Sequence, residues 1–188
     1  MSNTIAVIYH SGYGHTKVVA ESIVKGANAV DGIEATLFSV DEIGSDFDQL
    51  DGFDGFIFGA PTYMGDISAG LKAFFEASAG KWFGNAWRNK IAAGFTNAGN
   101  PSGDKLRSLQ SIQGFAMQHG MIWVGYDEKA GVNPETGETD GHNAGGHWVG
   151  LGTQSGNDDP SKTPAEIEHS TARYFGKRVA EATKRWNK

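Results

Sequence analysis

Cysteine is absent, which excludes disulfides, thiolate nucleophiles and cysteine-ligated iron–sulfur clusters. That absence suits a reducing compartment, and a cytoplasmic location is expected. No apolar run approaches the roughly 18 residues that a membrane-crossing helix needs. The chain enters a strand-like run at once, with no charged-then-apolar leader, so neither secretion nor membrane spanning is expected. Basic residues are in the minority: 16 Lys and Arg face 22 Asp and Glu, giving a net charge of −6. This deficit argues against a nucleic-acid-binding surface. Three motifs are also missing: the Gly-x-Gly-x-x-Gly dinucleotide fingerprint, the Gly-Lys-Ser/Thr end of a P-loop, and a Gly-x-Ser-x-Gly hydrolase elbow. Asp140, His142 and His147 lie in a glycine-rich stretch without the helical spacing of metal ligands, so no metal is expected.

What the chain does have is an alternation of short apolar runs with helical patterns. Thr4–Tyr9 reads as a strand buried on both faces, Thr16–Val30 as a helix, and Ile33–Phe38 as an edge strand. Phe53–Gly59 is a further buried strand. A helix capped by Ser68 runs to about Ser78. Lys90–Thr96 is the next strand, Gly103–His119 a helix, and Met121–Val124 a last clear strand. The final helix opens at Thr163-Pro164-Ala165-Glu166 with capping-box spacing, and Phe175, Val179, Ala182 and Trp186 give it an apolar stripe. Lys184, Arg185 and Lys188 complement its dipole. The fold class is therefore α/β, a doubly wound, five-stranded parallel sheet with helices on both faces, in a single domain over residues 1–188. Residues 125–162 read as a long glycine-rich loop within it. The carboxylates from Asp41 to Asp54 read as a solvated acidic loop.

Ligands in such sheets bind beyond the carboxyl ends of the strands. After the first strand, Ser11-Gly12-Tyr13-Gly14-His15-Thr16 aims backbone N–H groups and two hydroxyls at one point at a helix N-terminus. With no Lys or Arg inside it, the loop suits the terminal monophosphate of FMN better than a magnesium-bound triphosphate; the bland alternative is a tight βα turn. After the third strand, Pro61, Thr62, Tyr63, Met64 and Gly65 offer an unusual backbone path and apolar surface to a ring. After the fourth, Asn97, Ala98, Gly99, Asn100 and Ser102 are small enough for backbone amides to reach a flavin's pyrimidine edge. An ordinary turn is the competing reading of each loop.

Together, Tyr9-His-Ser-Gly-Tyr-Gly-His15, Phe58-Gly-Ala-Pro-Thr62, Gly65, Gly99, Gly103, His119-Gly-Met121 and Ala172-Arg-Tyr174 make the chain resemble the flavodoxin-like flavoproteins. The resemblance is to the WrbA group of FMN-dependent NAD(P)H:quinone oxidoreductases, from Ile5 to about Ala182. It implies a flavodoxin-like strand order and non-covalent FMN. Ser11–Thr16 would lie on the phosphate, Thr62, Tyr63 and Met64 on the ring, and Asn97–Ser102 along its other edge. Trp82 matches a substrate-pocket position and Gln118 a flavin-contacting one, with His119 as a second polar contact; buried packing is the rival role for Trp82, Trp87 and His119. Tyr63 stands where the family commonly has Arg, Gln118 where it has His, and Asp41–Leu50 is shorter than the family's tetramer-building insertion.

The expected function is transfer of hydride from NAD(P)H through FMN to a quinone or similar planar acceptor. Tyr13 and Trp82 would line the substrate side, and no side chain would act as nucleophile. The expected partners are that acceptor and a nicotinamide nucleotide, in a homo-oligomer (dimer or tetramer) with residues 125–162 near the interface. Two other classes compete: a one-electron flavodoxin carrier, and a flavin-free binding protein that keeps only the fold.

Overall fold

The computed structural model describes residues 2–187. In chain order the elements are β1 (Asn3–Tyr9), α1 (His15–Ala27), β2 (Ile33–Ser39), α2 (Val40–Ile43), β3 (Gly55–Tyr63), β4 (Asp66–Ile67), α3 (Ala69–Ala77), α4 (Ala79–Phe83), β5 (Ile91–Ala98), α5 (Lys105–Gln118), β6 (Ile122–Trp123), β7 (Leu151–Gln154) and α6 (Glu166–Trp186). The parallel sheet runs β2-β1-β3-β5-β6. β7 pairs with the second half of β5, and β4 turns back antiparallel on β3. The expected five-stranded, doubly wound sheet is therefore present, with its fifth position shared by two short strands.

Alternation along each strand divides the apolar residues between two layers. Ile5, Val7, Ile57, Ala93 and Phe95 face α1 and α6. Ala6, Ile8, Phe56, Phe58 and Ala92 face α3 and α5. Where α1 crosses α6 the backbones nearly touch: a Cβ on Gly26 would fall 1.9 Å from the Arg173 carbonyl oxygen, and one on Gly176 2.0 Å from that of Ile23. No described helix is long and apolar enough to cross a membrane.

Several boundaries differ from the sequence reading. β3 extends beyond Gly59 to Tyr63, and β5 beyond Thr96 to Ala98, so Pro61, Thr62, Tyr63, Asn97 and Ala98 belong to strand ends rather than loops. β1 stops opposite Gly59, so the last residues of β3 have one unpaired edge, where Pro61 can lack an N–H. Residues 125–162 are not all loop: β7 lies inside them, and Val132 bridges Thr139. The last helix begins at Glu166 behind Ala165 without a side-chain cap, because the Thr163 hydroxyl instead accepts the Gly156 N–H at 2.8 Å. α4 had no separate signal in the sequence. The acidic stretch is partly structural. Asp48 and Asp51 receive Lys81 Nζ, Asp51 also receives the Trp87 indole at 3.1 Å, and Glu42 completes a capping box with Ser39. Lys184 Nζ donates to the Asp31 carbonyl at 2.6 Å, while Lys188 lies outside the described residues.

Candidate functional site

Four strand ends converge on one cavity of about 430 Å³, lined by Ser11, Tyr13, His15, Thr16, Pro61, Thr62, Tyr63, Asn97, Ala98, Gly99, Ser155, Gly156 and Asn157. All three sequence-derived loops contribute to it. Residues 155–157 were missed, although they follow a strand end and are small, as in the other loops. The short run Leu151-Gly-Thr-Gln154 hid that strand.

The first loop is organised around an oxygen of its own chain. The Ser11 hydroxyl oxygen accepts from the Gly14 N–H at 3.1 Å and the Lys17 N–H at 3.3 Å. Gly14, the N-cap of α1, has φ +90°, a left-handed conformation that a side chain would strain. A Cβ there would also lie 2.7 Å from Pro160. The His15 ring bonds the Asp158 carbonyl at 2.7 Å, so residues 157–160 lie alongside the loop. The N–H groups of Gly12, Tyr13, His15 and Thr16 have no protein acceptor among the described residues, and the first turn of α1 carries no acidic residue. Free amides at the positive end of a helix dipole, in a first turn that carries no acidic residue, are the donor set a phosphate needs. The residues present therefore fit the phosphate of a mononucleotide.

The second loop is the tip of a β-hairpin, with Tyr63 opposite Asp66 and a two-residue turn at Met64–Gly65. Met64 is fully exposed and has φ +49°. Asp66 fixes the hairpin to α5: its carboxylate accepts from Ser111 Oγ (2.6 Å), Arg107 Nε (3.2 Å) and the Ile67 N–H (2.7 Å). Partial burial pushes its pKa up, but the Ser111, Ile67 and Arg107 donors outweigh it and hold the carboxyl below its ordinary range. The Thr62 hydroxyl is committed inward, 2.8 Å from both Thr96 Oγ1 and Ser108 Oγ. Tyr63 and Tyr13 meet edge to face, with centroids 6.3 Å apart.

In the third loop the carbonyls are tied back. Ala98 O accepts the Ser155 N–H (3.2 Å), Gly99 O accepts Gln154 Nε2 (3.0 Å), and Ser102 O accepts the Lys105 N–H (3.1 Å). Lys105 Nζ takes the carbonyls of Asn100 and Pro101. The amides of Gly99, Asn100, Ser102 and Gly103 have no protein acceptor among the described residues. The Asn97 side chain turns into the protein, donating to Ser155 Oγ at 2.7 Å and accepting from Thr153 Oγ1 at 2.9 Å. Asn100 and Ser102 are exposed and do not line the cavity.

Trp82, Gln118 and His119 are brought together elsewhere. They line a second cavity of about 750 Å³ with Asp66, Ile67, Phe75 and Phe115. The Phe75 and Phe115 rings stack there at 3.7 Å. His119 is 6% exposed, stacked on Trp87, with Nδ1 lacking any partner; burial lowers its pKa to about 4. Trp87 is fully buried core.

Comparison with known proteins identifies the family. The family model for NADPH-dependent FMN reductases matches residues 4–130. A flavodoxin of Pseudomonas aeruginosa, FldP, is 36% identical over 93% of this chain and 93% of its own. Quinone-oxidoreductase QR2 of Triphysaria versicolor is 32% identical over 98% of this chain and 97% of its own. The crystal structure of a WrbA-like flavodoxin from Agrobacterium tumefaciens superposes with a TM-score of 0.74 at 34% identity, covering 98% of this chain and 99% of that one. The chain belongs to the NADPH-dependent FMN reductase family, as a flavodoxin-like FMN flavoprotein of the WrbA type.

Proposed function

We propose that FMN lies in the cavity at the four strand ends, and that the protein passes electrons from NADH or NADPH to a quinone or similar planar acceptor. The observation that carries this reading is one cavity at the strand ends, walled by Tyr13 and Tyr63 and lined by Tyr13, His15, Thr16 and Gly99, whose amides have no protein acceptor among the described residues. When bound, FMN supplies the redox chemistry, taking hydride from the nicotinamide and yielding two electrons to the acceptor. The chain's task is placement. Gly12, Tyr13, His15 and Thr16 hold the phosphate through main-chain N–H groups, and the Ser11 hydroxyl keeps the loop in shape. The Tyr63–Met64 hairpin tip covers the ring, with Asp66 locking that tip to α5. Gly99 presents its amide to the pyrimidine edge, with Asn100 and Ser102 in the turn that follows it. Asn97 acts indirectly, by joining β5 to β7.

His119 is assigned to packing. Trp82 and Gln118 reach an acceptor in this reading only where a second copy lays the larger cavity against the flavin edge, so the working form is a homo-oligomer. Anaerobic stopped-flow absorbance tests the enzyme assignment: bound FMN should bleach on mixing with NADH or NADPH and recover on adding a quinone. A flavin that neither nucleotide reduces would sink it. A one-electron carrier is favoured by one observation, the flavodoxin name of the 36% identical Pseudomonas relative. Redox titration separates the two, since a carrier accumulates a one-electron stage and a reductase bleaches in a single two-electron step.

A further inference from the structure

The third loop has a buried charge behind it. Lys105 opens α5, yet it is 2% exposed, and sequestering an ammonium from water is costly unless its protons are well bonded. Here Nζ donates to the Asn100 carbonyl at 2.9 Å and the Pro101 carbonyl at 3.0 Å. No carboxylate lies within salt-bridge distance of it among the described residues, so the charge is solvated by dipoles rather than neutralised. Burial lowers the Lys105 pKa to about 8, which leaves it protonated at neutral pH. The His147 ring faces the same Pro101 carbonyl; burial and the Lys105 charge hold its pKa down, so it adds no second cation. Glu168 is the carboxylate whose field bears on Lys105. It accepts the Gln154 N–H at 3.1 Å, and burial pushes its pKa up. The Ser102–Lys105 main-chain bond already closes the turn, so the ammonium does more than closure requires.

We propose that Lys105 is a positioning residue that fixes the Asn100–Pro101 turn and whose charge biases FMN toward its two-electron-reduced form, with Glu168 as the opposing charge. This rests on the reading that sets the flavin's pyrimidine edge against the third loop. Oxidised FMN takes up two electrons and one proton from the donor, and its ring gains one negative charge. A fixed cation one loop's thickness away, in a medium less polarisable than water, stabilises that product more than the oxidised ring.

The test compares wild type with Lys105→Met, Lys105→Arg and Glu168→Gln. FMN affinity is read by fluorescence quenching, and the midpoint potential by equilibration with a reference dye. Lys105→Met should lose about tenfold of the preference for reduced over oxidised FMN, about 30 mV lower for a two-electron couple. Lys105→Arg should recover most of that loss, and Glu168→Gln should shift the potential upward. A purely structural lysine would weaken both redox states equally. Tight FMN binding with potentials that do not move, or that move the same way in the Met and Gln variants, overturns the proposal. Should Lys105→Met fail to fold, the sign of the Glu168→Gln shift decides. Wild type that binds no FMN overturns the cavity reading, and this inference with it.

Discussion

At His119, packing and protonation compete. The imidazole stacks on Trp87 and leans on Phe115, with one nitrogen unbonded, so the folded protein holds it neutral. Its folded pKa of about 4 lies below the ordinary value of 6.5. Between those two values the unfolded chain binds the proton and the folded chain does not, so stability falls as pH drops through that window. The expected contribution between pH 7 and 4.5 is about 2 kcal/mol. Urea unfolding of His119→Phe should show a correspondingly shallower acid loss than wild type; parallel profiles would contradict the assignment. Buried packing was one of the two roles the sequence left open for His119, but the partner that buries it was not visible. Sequence places it at a helix end, whereas the aromatic sandwich that decides its chemistry comes from Trp87, on a separate segment.

Among the elements, the α1–α6 crossing leaves no room for a side chain at Gly26 or Gly176. Gly176→Ala would drive a methyl into the Ile23 carbonyl, and the helices must part to admit it. A loss of about 2–3 kcal/mol is expected, lowering Tm by roughly 5–10 °C, measurable by circular dichroism with FMN present. An unchanged Tm would show that the helices separate freely. Element positions were legible where apolar periodicity is strong, as in Ile5–Tyr9 and in the stripe of α6. Strand ends were harder to read. Pro61 and the polar residues Asn97 and Thr62 look like loop, but they continue β3 and β5 because neighbouring strands, not their own composition, hold them. The two residues of β6 and four of β7 are too short to carry a period, and the chain between them hid that they share one sheet edge.

For the whole molecule, Tyr13 at the strand-end cavity and Met64 on the adjoining hairpin are exposed, as are Trp82, Phe83 and Trp148. Light scattering of the FMN-loaded protein is expected to give at least a dimer; a monomer with full activity would reject the shared site. Legibility at this scale was uneven. The βα turn at residues 11–16 and its free amides could be read from the sequence, because such a turn is a local structure. The separation of Trp82 and Gln118 from that cavity could not, since the Asp66–Ile67 hairpin stands between them. Ser11 carries a further consequence. Its hydroxyl already holds the Gly14 and Lys17 N–H groups, so the amides left for a phosphate are set in place before it arrives and binding needs little ordering of backbone. On the proposed reading the chain folds before flavin arrives, and the loaded fraction in a cell follows flavin supply rather than the rate at which chains mature.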